Sequence, residues 1–248
     1  MVTAAVDLTS SWQTPQRTWD AYGSGVRRLL ALHCPIVVFV DQERMPALEE
    51  YVHELAQLVP LNMERLQAEA AEAFGPDFAS QVRHLRDARW KTRKWNWSKI
   101  AESEAYLTLI LLKPILFARA ALLLPSSAGS VHVWVDSVKD CLALLQPPLT
   151  VEVLEQRVRD GRVFVTAYAG LGSICRGSES DVDGLPCALL PNFSVKASFF
   201  AAQRSSVGWL AARYIDKVVA ALSQGYLGSF FCAQSSKLFR IQANQTAA

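Results

Sequence analysis

VHVWVD at residues 131–136 is the stretch that decides the fold, because VTAAVD at 2–7 and PIVVFVD at 35–41 repeat its pattern. Each is a short valine-rich run that closes on an aspartate, and such continuous apolar runs read as strands buried on both faces of a parallel sheet. In an open α/β sheet, ligands bind outside the carboxyl ends of the strands. Asp7, Asp41 and Asp136 would therefore line one edge of one crevice. A plainer account competes for each of them, since aspartate is favoured as a helix N-cap or turn residue after a strand. Three repeats of the pattern in one chain favour a polar site. Alternation along the last run places His132, Trp134 and Asp136 on one face.

A chain of 248 residues is long enough to bury a real core. With 51% hydrophobic and 19% charged residues, it is globular and not disordered. A net charge of +2 supplies no global attraction to nucleic acid or to an anionic membrane. The five cysteines (Cys34, Cys141, Cys175, Cys187, Cys232) form no C-x-x-C pair and have no histidine at zinc-ligand spacing. Their odd number argues against a full disulfide framework, so they read as small buried hydrophobes.

The first strand starts directly behind Met1, which leaves no room for a leader in this chain. The most apolar stretch, Tyr106 to Leu124, is interrupted by Lys113, Pro114 and Arg119. Charges at that depth are costly in a bilayer, so it reads as a buried helix pair, and no transmembrane segment is expected. Asn96-Trp97-Ser98, Asn192-Phe193-Ser194 and Asn244-Gln245-Thr246 fit the N-glycosylation pattern. They favour the secretory-pathway lumen if the source is eukaryotic, with any anchor outside this chain. Otherwise the expected location is cytoplasmic.

Between the strands the sequence predicts a short helix over Ala21–His33. It also predicts helix from Pro46 to about Ala73, because Leu48, Tyr51, Leu55 and Leu58 recur at helical spacing. Pro60 divides that region and Gly75-Pro76 ends it. RWKTRKWNWSK (89–99) is the one dense basic and aromatic segment. It reads as a loop with tucked tryptophans and solvated cations, or as a sugar or phosphate contact. Near-neutral overall charge makes nucleic acid the weakest reading of the segment, and no nucleic-acid partner is expected. A Pro125–Gly129 loop leads into the third strand. A helix over Val151–Arg159, a strand over Arg162–Tyr168 and an amphipathic helix over Ser205–Ser223 follow. Residues 170–191 are loop-like and would suit a flap. There is no internal repeat or linker, so residues 1–248 form a single domain. The sequence has no G-x-x-x-x-G-K-[ST] loop, no G-x-S-x-G elbow around Ser173 and no H-E-x-x-H among His33, His53, His84 and His132. His132 reads as a core histidine bonded to backbone.

Four segments in order carry a family resemblance: VTAAVDL, PIVVFVD, Tyr106 to Lys113-Pro114 leading through a helix into VWVD, and VKASFFAAQRSSVGWLAARYIDKVVAALSQGYLGS (195–229). Together they resemble the HtrL/YibB family of glycosyltransferase-like proteins, over about residues 2–230. The last segment also has the cadence of GT-A glycosyltransferases: a small-residue, aromatic turn, then a helix, then a Gly-Tyr-Leu-Gly turn. The resemblance implies an α/β fold with a GT-A-like (Rossmann-like) mixed, mostly parallel sheet flanked by helices. It implies a nucleotide sugar as donor, a glycan acceptor, and a divalent metal (Mn or Mg) held by a D-x-D pair. A hard cation there would neutralise charge growing on the leaving diphosphate.

Residue by residue, Asp136 matches the aspartate of the family's W-[IV]-D strand, Asp7 that of its first strand, and Lys113 the lysine on the preceding helix. Asp136 is then the expected catalytic residue and metal or phosphate-side carboxylate. Asp7 and Asp41 fall at the nucleotide edge, Lys113 or the 89–99 cations at the diphosphate, and Trp134 on the same substrate-binding face. Lys196, Ala197 and Ser198 open a small-residue run that would let an acceptor sugar approach the backbone.

The chain departs from the family pattern at Val138, where the second carboxylate of D-x-D would stand, and at Ser229-Phe230-Phe231, where related enzymes carry an acidic residue. Asp140 would supply the second metal ligand if it lay one helical turn beyond Asp136. After about residue 230 the likeness ends, so the domain is truncated or divergent there. These departures also fit a non-catalytic relative that binds a glycan or a partner and has lost the carboxylate pair.

Overall fold

The computed structural model describes residues 1–6, 19–83, 104–136, 150–159, 163–169 and 193–223. In chain order these form β1 (Val2–Ala5), α1 (Trp19–Leu30), β2 (Ile36–Val40), a single 3-10 turn (Gln42–Arg44), α2 (Pro46–Glu49) and β3 (Ala56–Pro60). Then come α3 (Met63–Phe74), α4 (Glu104–Leu123), β4 (Val131–Val135), α5 (Val151–Val158), β5 (Val163–Ala169), β6 (Phe193–Gln203) and α6 (Arg204–Ser223). Residues 78–83 add a further helical stretch.

The six strands make one sheet in the order β3-β2-β1-β4-β6-β5. β1 pairs in parallel with β2 and β4, and β2 in parallel with β3. β6 runs antiparallel to both of its neighbours, so β5 points the same way as the first four strands. The expected mixed, mostly parallel α/β sheet is therefore present. From β1 the chain steps outward to β2 and β3, then returns past them to place β4 on the other flank of β1. The order of strands thus reverses between β1 and β4, and that gap at the carboxyl edge is where such sheets take ligands.

The pleat divides the core in two. Val37, Phe39, Val2, Trp134, Phe200 and Ala202 point to one face, under α3, α4 and α6. Ile36, Val38, Val40, Ala5, Val135 and Ala201 point to the other, under α1 and α5. Every residue of β2 is buried, which explains why PIVVFVD shows no alternation.

The helix predicted from Pro46 to Ala73 is corrected by the fold. Only Pro46–Glu49 and Met63–Phe74 are helical, and Ala56–Pro60 is the edge strand β3. Of the apparent helical stripe, Leu48 is buried while Tyr51 and Leu55 are exposed, so the spacing described no common core face. Pro60 closes β3 on the sheet edge, a position where a missing N–H is tolerated. α3 begins where the Asn62 side chain accepts a hydrogen bond from the Arg65 amide at 2.8 Å. It buries Leu66, Ala70 and Phe74 on one stripe and stops at Gly75, whose φ of 102° suits glycine.

Tyr106–Leu124 is not a helix pair. α4 runs unbroken through Pro114. An internal proline costs about 3 kcal/mol, but Leu109, Leu111, Leu112, Leu116 and Phe117 are buried, and each contributes about 1.5–3 kcal/mol. Packing wins. Among the described residues no helix is long and apolar enough to cross a membrane.

The segment FSVKASFFAAQ, expected as a turn, is the 11-residue strand β6. The chain then enters α6, where the Arg204 guanidinium donates to the Leu124 and Pro125 carbonyls at 2.9 and 2.7 Å and closes the end of α4. The helices expected over Ala21–His33, Val151–Arg159 and Ser205–Ser223 and the strand over Arg162–Tyr168 are present as α1, α5, α6 and β5.

Candidate functional site

At the carboxyl end of β4, just where the strand order reverses, three side chains converge. Lys113 of α4 donates from Nζ to Asp136 Oδ2 at 2.7 Å. The indole N–H of Trp134 donates to Asp136 Oδ1 at 2.9 Å. The Lys113 ammonium also sits 5.9 Å from the centroid of the Trp134 ring, within cation–π range. Asp136 thus has a protein donor on each oxygen.

The depth of the three differs. Trp134 is fully buried, the Lys113 side chain is 10% exposed, and the Asp136 side chain is 34% exposed. Asp136 is the face of the group, and the other two stand behind it. Trp134, expected on the substrate-binding face, is fully buried and turns its indole N–H to Asp136. The Lys113 ammonium is likewise directed at Asp136.

Beneath them is an aromatic floor. The Trp134 and Phe200 rings stack at 5.8 Å, Phe117 meets Phe200 edge-on at 5.0 Å, and Phe117 meets His132 edge-on at 6.5 Å. His132, Trp134 and Asp136 share a strand face as predicted. His132 is 1% exposed, and neither ring nitrogen has a hydrogen-bond partner among the described residues. It is a core histidine, but not one bonded to backbone. Burial first, then the Met1 amino group and Arg204, push its pKa down to about 4, so it is neutral at physiological pH.

Asp41 follows β2 on the same edge. It precedes the 3-10 turn without a side-chain cap hydrogen bond, although its carbonyl accepts from the Arg44 amide at 2.8 Å. The pairings Val2↔Val37 and Val2↔Trp134 put Asp136 level with Phe39, with β1 between. Asp41 is therefore two strand spacings across and two residues further along, roughly 12 Å away and too far to share a ligand atom with Asp136. The edge is common to both residues, but they form no cluster.

Lys196, Ala197 and Ser198 lie on the backbone of β6 beside the end of β4. The β4–β6 ladder closes at Val135↔Phe199, and one more step in that register sets Ser198 opposite Asp136. On the other side Val165 pairs with Phe200 but Thr166 pairs with Lys196, so Ala197 to Phe199 form a local excursion of the strand. The small residues thus sit next to Asp136, in a bulge that periodicity alone does not reveal. Asp7, Asp140, the 89–99 segment, residues 170–191 and the three N-glycosylation patterns other than Phe193-Ser194 lie outside the described residues.

No protein-family profile matches the chain, and no curated protein matches it. Among solved structures, that of mouse xyloside xylosyltransferase 1 in its apo form is similar at a TM-score of 0.41 and 7% identity. The match covers 93% of this chain and 79% of that one. So loose a likeness leaves the architecture to be argued from this chain's own strand order and register.

Proposed function

We propose that the chain is a GT-A-like glycosyltransferase homologue, related to the HtrL/YibB proteins, that binds a nucleotide sugar and passes the sugar to a glycan acceptor. The observation that carries this reading is Asp136 itself. It is a half-exposed carboxylate held by two buried donors at the carboxyl edge, where the strand order reverses. In transfer, the bond from the anomeric carbon to the diphosphate oxygen breaks, the acceptor oxygen bonds to that carbon, and the acceptor proton leaves. Asp136 would accept a hydrogen bond from a donor-sugar or ribose hydroxyl and fix its orientation. The bulge at Ala197–Phe199 would give the acceptor close access to that point. Asp7 and Asp41 would border the nucleotide.

A divalent Mn or Mg ion, when bound by enzymes of this kind, offsets charge on the leaving diphosphate. It would be held by Asp136 with Asp140, and Asp140 lies outside the described residues. Among those residues, no group of three or more His, Cys, Asp or Glu is placed to hold a metal. No step is routed through a metal.

The test is a thermal-shift series of the chain against UDP, GDP and CMP sugars, with EDTA and separately with manganese. A shift with one nucleotide class, lost in Asp136→Asn, is expected. No shift with any of them, from a protein that melts cooperatively, would sink the reading. A second reading is favoured by the lack of a carboxylate at Val138: a relative that binds a glycan but transfers nothing. It predicts glycan binding with no hydrolysis or transfer of any donor that shifts the melt.

A further inference from the structure

We infer that Arg65 and Arg119 form a second binding site, on the outer face of α3 and α4, for a tetrahedral oxyanion of the phosphate or sulfate type. The inference goes beyond the proposed function, and no residue in it belongs to the β4 edge.

α3 and α4 pack against each other, and Glu69 of α3 takes both arginines on a single oxygen. Arg119 of α4 pairs with Glu69 Oε1, and Arg65, one turn before Glu69, holds its Nε 3.8 Å from the same atom. The Pro60 carbonyl, at the end of β3, accepts from Arg65 Nη1 at 3.1 Å and fixes that guanidinium in place. Two cations against one carboxylate leave one positive charge over. Arg65 Nη2 and Arg119 Nε and Nη2 have no partner among the described residues. The Glu69 side chain is 18% exposed, against 40% for Arg65 and 32% for Arg119, so the carboxylate lies deeper than the guanidiniums it joins.

Stability does not call for this arrangement. An exposed Arg–Glu pair contributes about 0–1 kcal/mol, and a second guanidinium on the same oxygen adds repulsion. Burial, and after it the neighbouring Arg65, hold the Arg119 pKa below its usual value, so one glutamate does not offset the like-charge contact. A second anion would. Sharing an oxygen puts the guanidiniums within about 7 Å, a gap that one oxyanion spans with a charge-assisted hydrogen bond of about 2.8 Å on each side. Guanidinium forks match phosphate-type oxygens, and a dianion uses both cations where a monocarboxylate is served by one.

The experiment follows the arginine Nε–H resonances of the nitrogen-15-labelled full chain by nuclear magnetic resonance. Sodium phosphate, sodium sulfate and sodium acetate are titrated in turn at constant ionic strength. Saturable shifts of the Arg65 and Arg119 signals are expected with phosphate and sulfate, at least about fivefold tighter than with acetate. Arg65→Gln and Arg119→Gln should each weaken phosphate binding at least about fivefold, and Glu69→Gln should strengthen it at least about threefold by removing the competing charge. A cluster that only joins two helices would give linear, unsaturable shifts and gain nothing from Glu69→Gln, and either result from a folded protein overturns the inference. So does saturable binding that survives both arginine substitutions. Should Glu69→Gln fail to fold, the two arginine variants decide. Glucose 6-phosphate and glucose 6-sulfate separate the sources of the anion. Esters that bind as tightly as the free ions identify a substituent carried on a sugar, and binding of the free ions alone identifies a small-ion site. No readout involves Asp136 or a nucleotide sugar, so this inference and the proposed function fail separately.

Discussion

The rings of Trp134 and Phe200 lie 2° from parallel with centroids 5.8 Å apart, joining β4 to the antiparallel β6 directly behind Asp136. Trp134 pairs with Phe200 across the ladder, so the stack is a cross-strand pair of the kind that pins register. It also fixes the indole plane, and with it the direction in which the N–H meets Asp136.

Phe200→Ala should therefore cost about 3–5 kcal/mol, the range for truncating a buried phenylalanine. It should also change tryptophan emission, because Trp134 loses its ring partner. Urea unfolding followed by fluorescence and by circular dichroism checks both. A loss under about 1 kcal/mol would mean that the stack does not hold the site.

Lys113 and Asp136 should couple in a double-mutant cycle. Lys113→Met or Asp136→Asn alone takes one charge of the ion pair from the other, and about 1–3 kcal/mol should be lost in each case, the partial exposure of Asp136 limiting the figure. The double variant should lose less than the sum. Denaturant midpoints of the four proteins measure the coupling, and strict additivity would show that the pair does not interact in solution.

Acidification should weaken the fold through His132. Its pKa is about 4 in the folded chain against 6.5 for the free side chain. The unfolded state therefore binds the proton first as pH falls. The stability tied to neutral His132 is fully present above about pH 6.5 and is lost progressively between about pH 6.5 and 4, by up to roughly 3 kcal/mol. His132→Phe should remove this part of the slope, measured by urea unfolding at pH 7, 5.5 and 4.

The two ends of α3 should respond by different mechanisms. Asn62→Ala removes the cap to the Arg65 amide and should cost about 1 kcal/mol. Gly75→Ala meets no atom within 4 Å, so its cost of about 1–3 kcal/mol should come from backbone strain at a φ of 102°. Thermal melts of the two single variants and the pair should show nearly additive losses.

β1, β2 and β4 were legible because strands buried on both faces must be apolar without interruption, and Asp136 was legible because it ends such a run. β3 was missed because an edge strand is only half-buried, and its Leu58 happened to fall at helical spacing with Leu48, Tyr51 and Leu55. Lys113 and Pro114 were read as breaking a helix. Locally they do oppose it, but the packing of α4 outweighs them.

The amino-acid sequence alone determined which runs are buried strands, where they end, and that Asp136 and Trp134 share a face, since these follow from the period of the backbone and the cost of exposing apolar side chains. Only the tertiary structure decided that β4 lies across β1 from β2. That crossing sets the crevice, and no local pattern encodes which strands become neighbours. It also decided that Lys113, 23 positions before Asp136, spends its charge on that carboxylate. Such pairing depends on how a helix crosses a sheet, and distance in space is not written in distance along the chain.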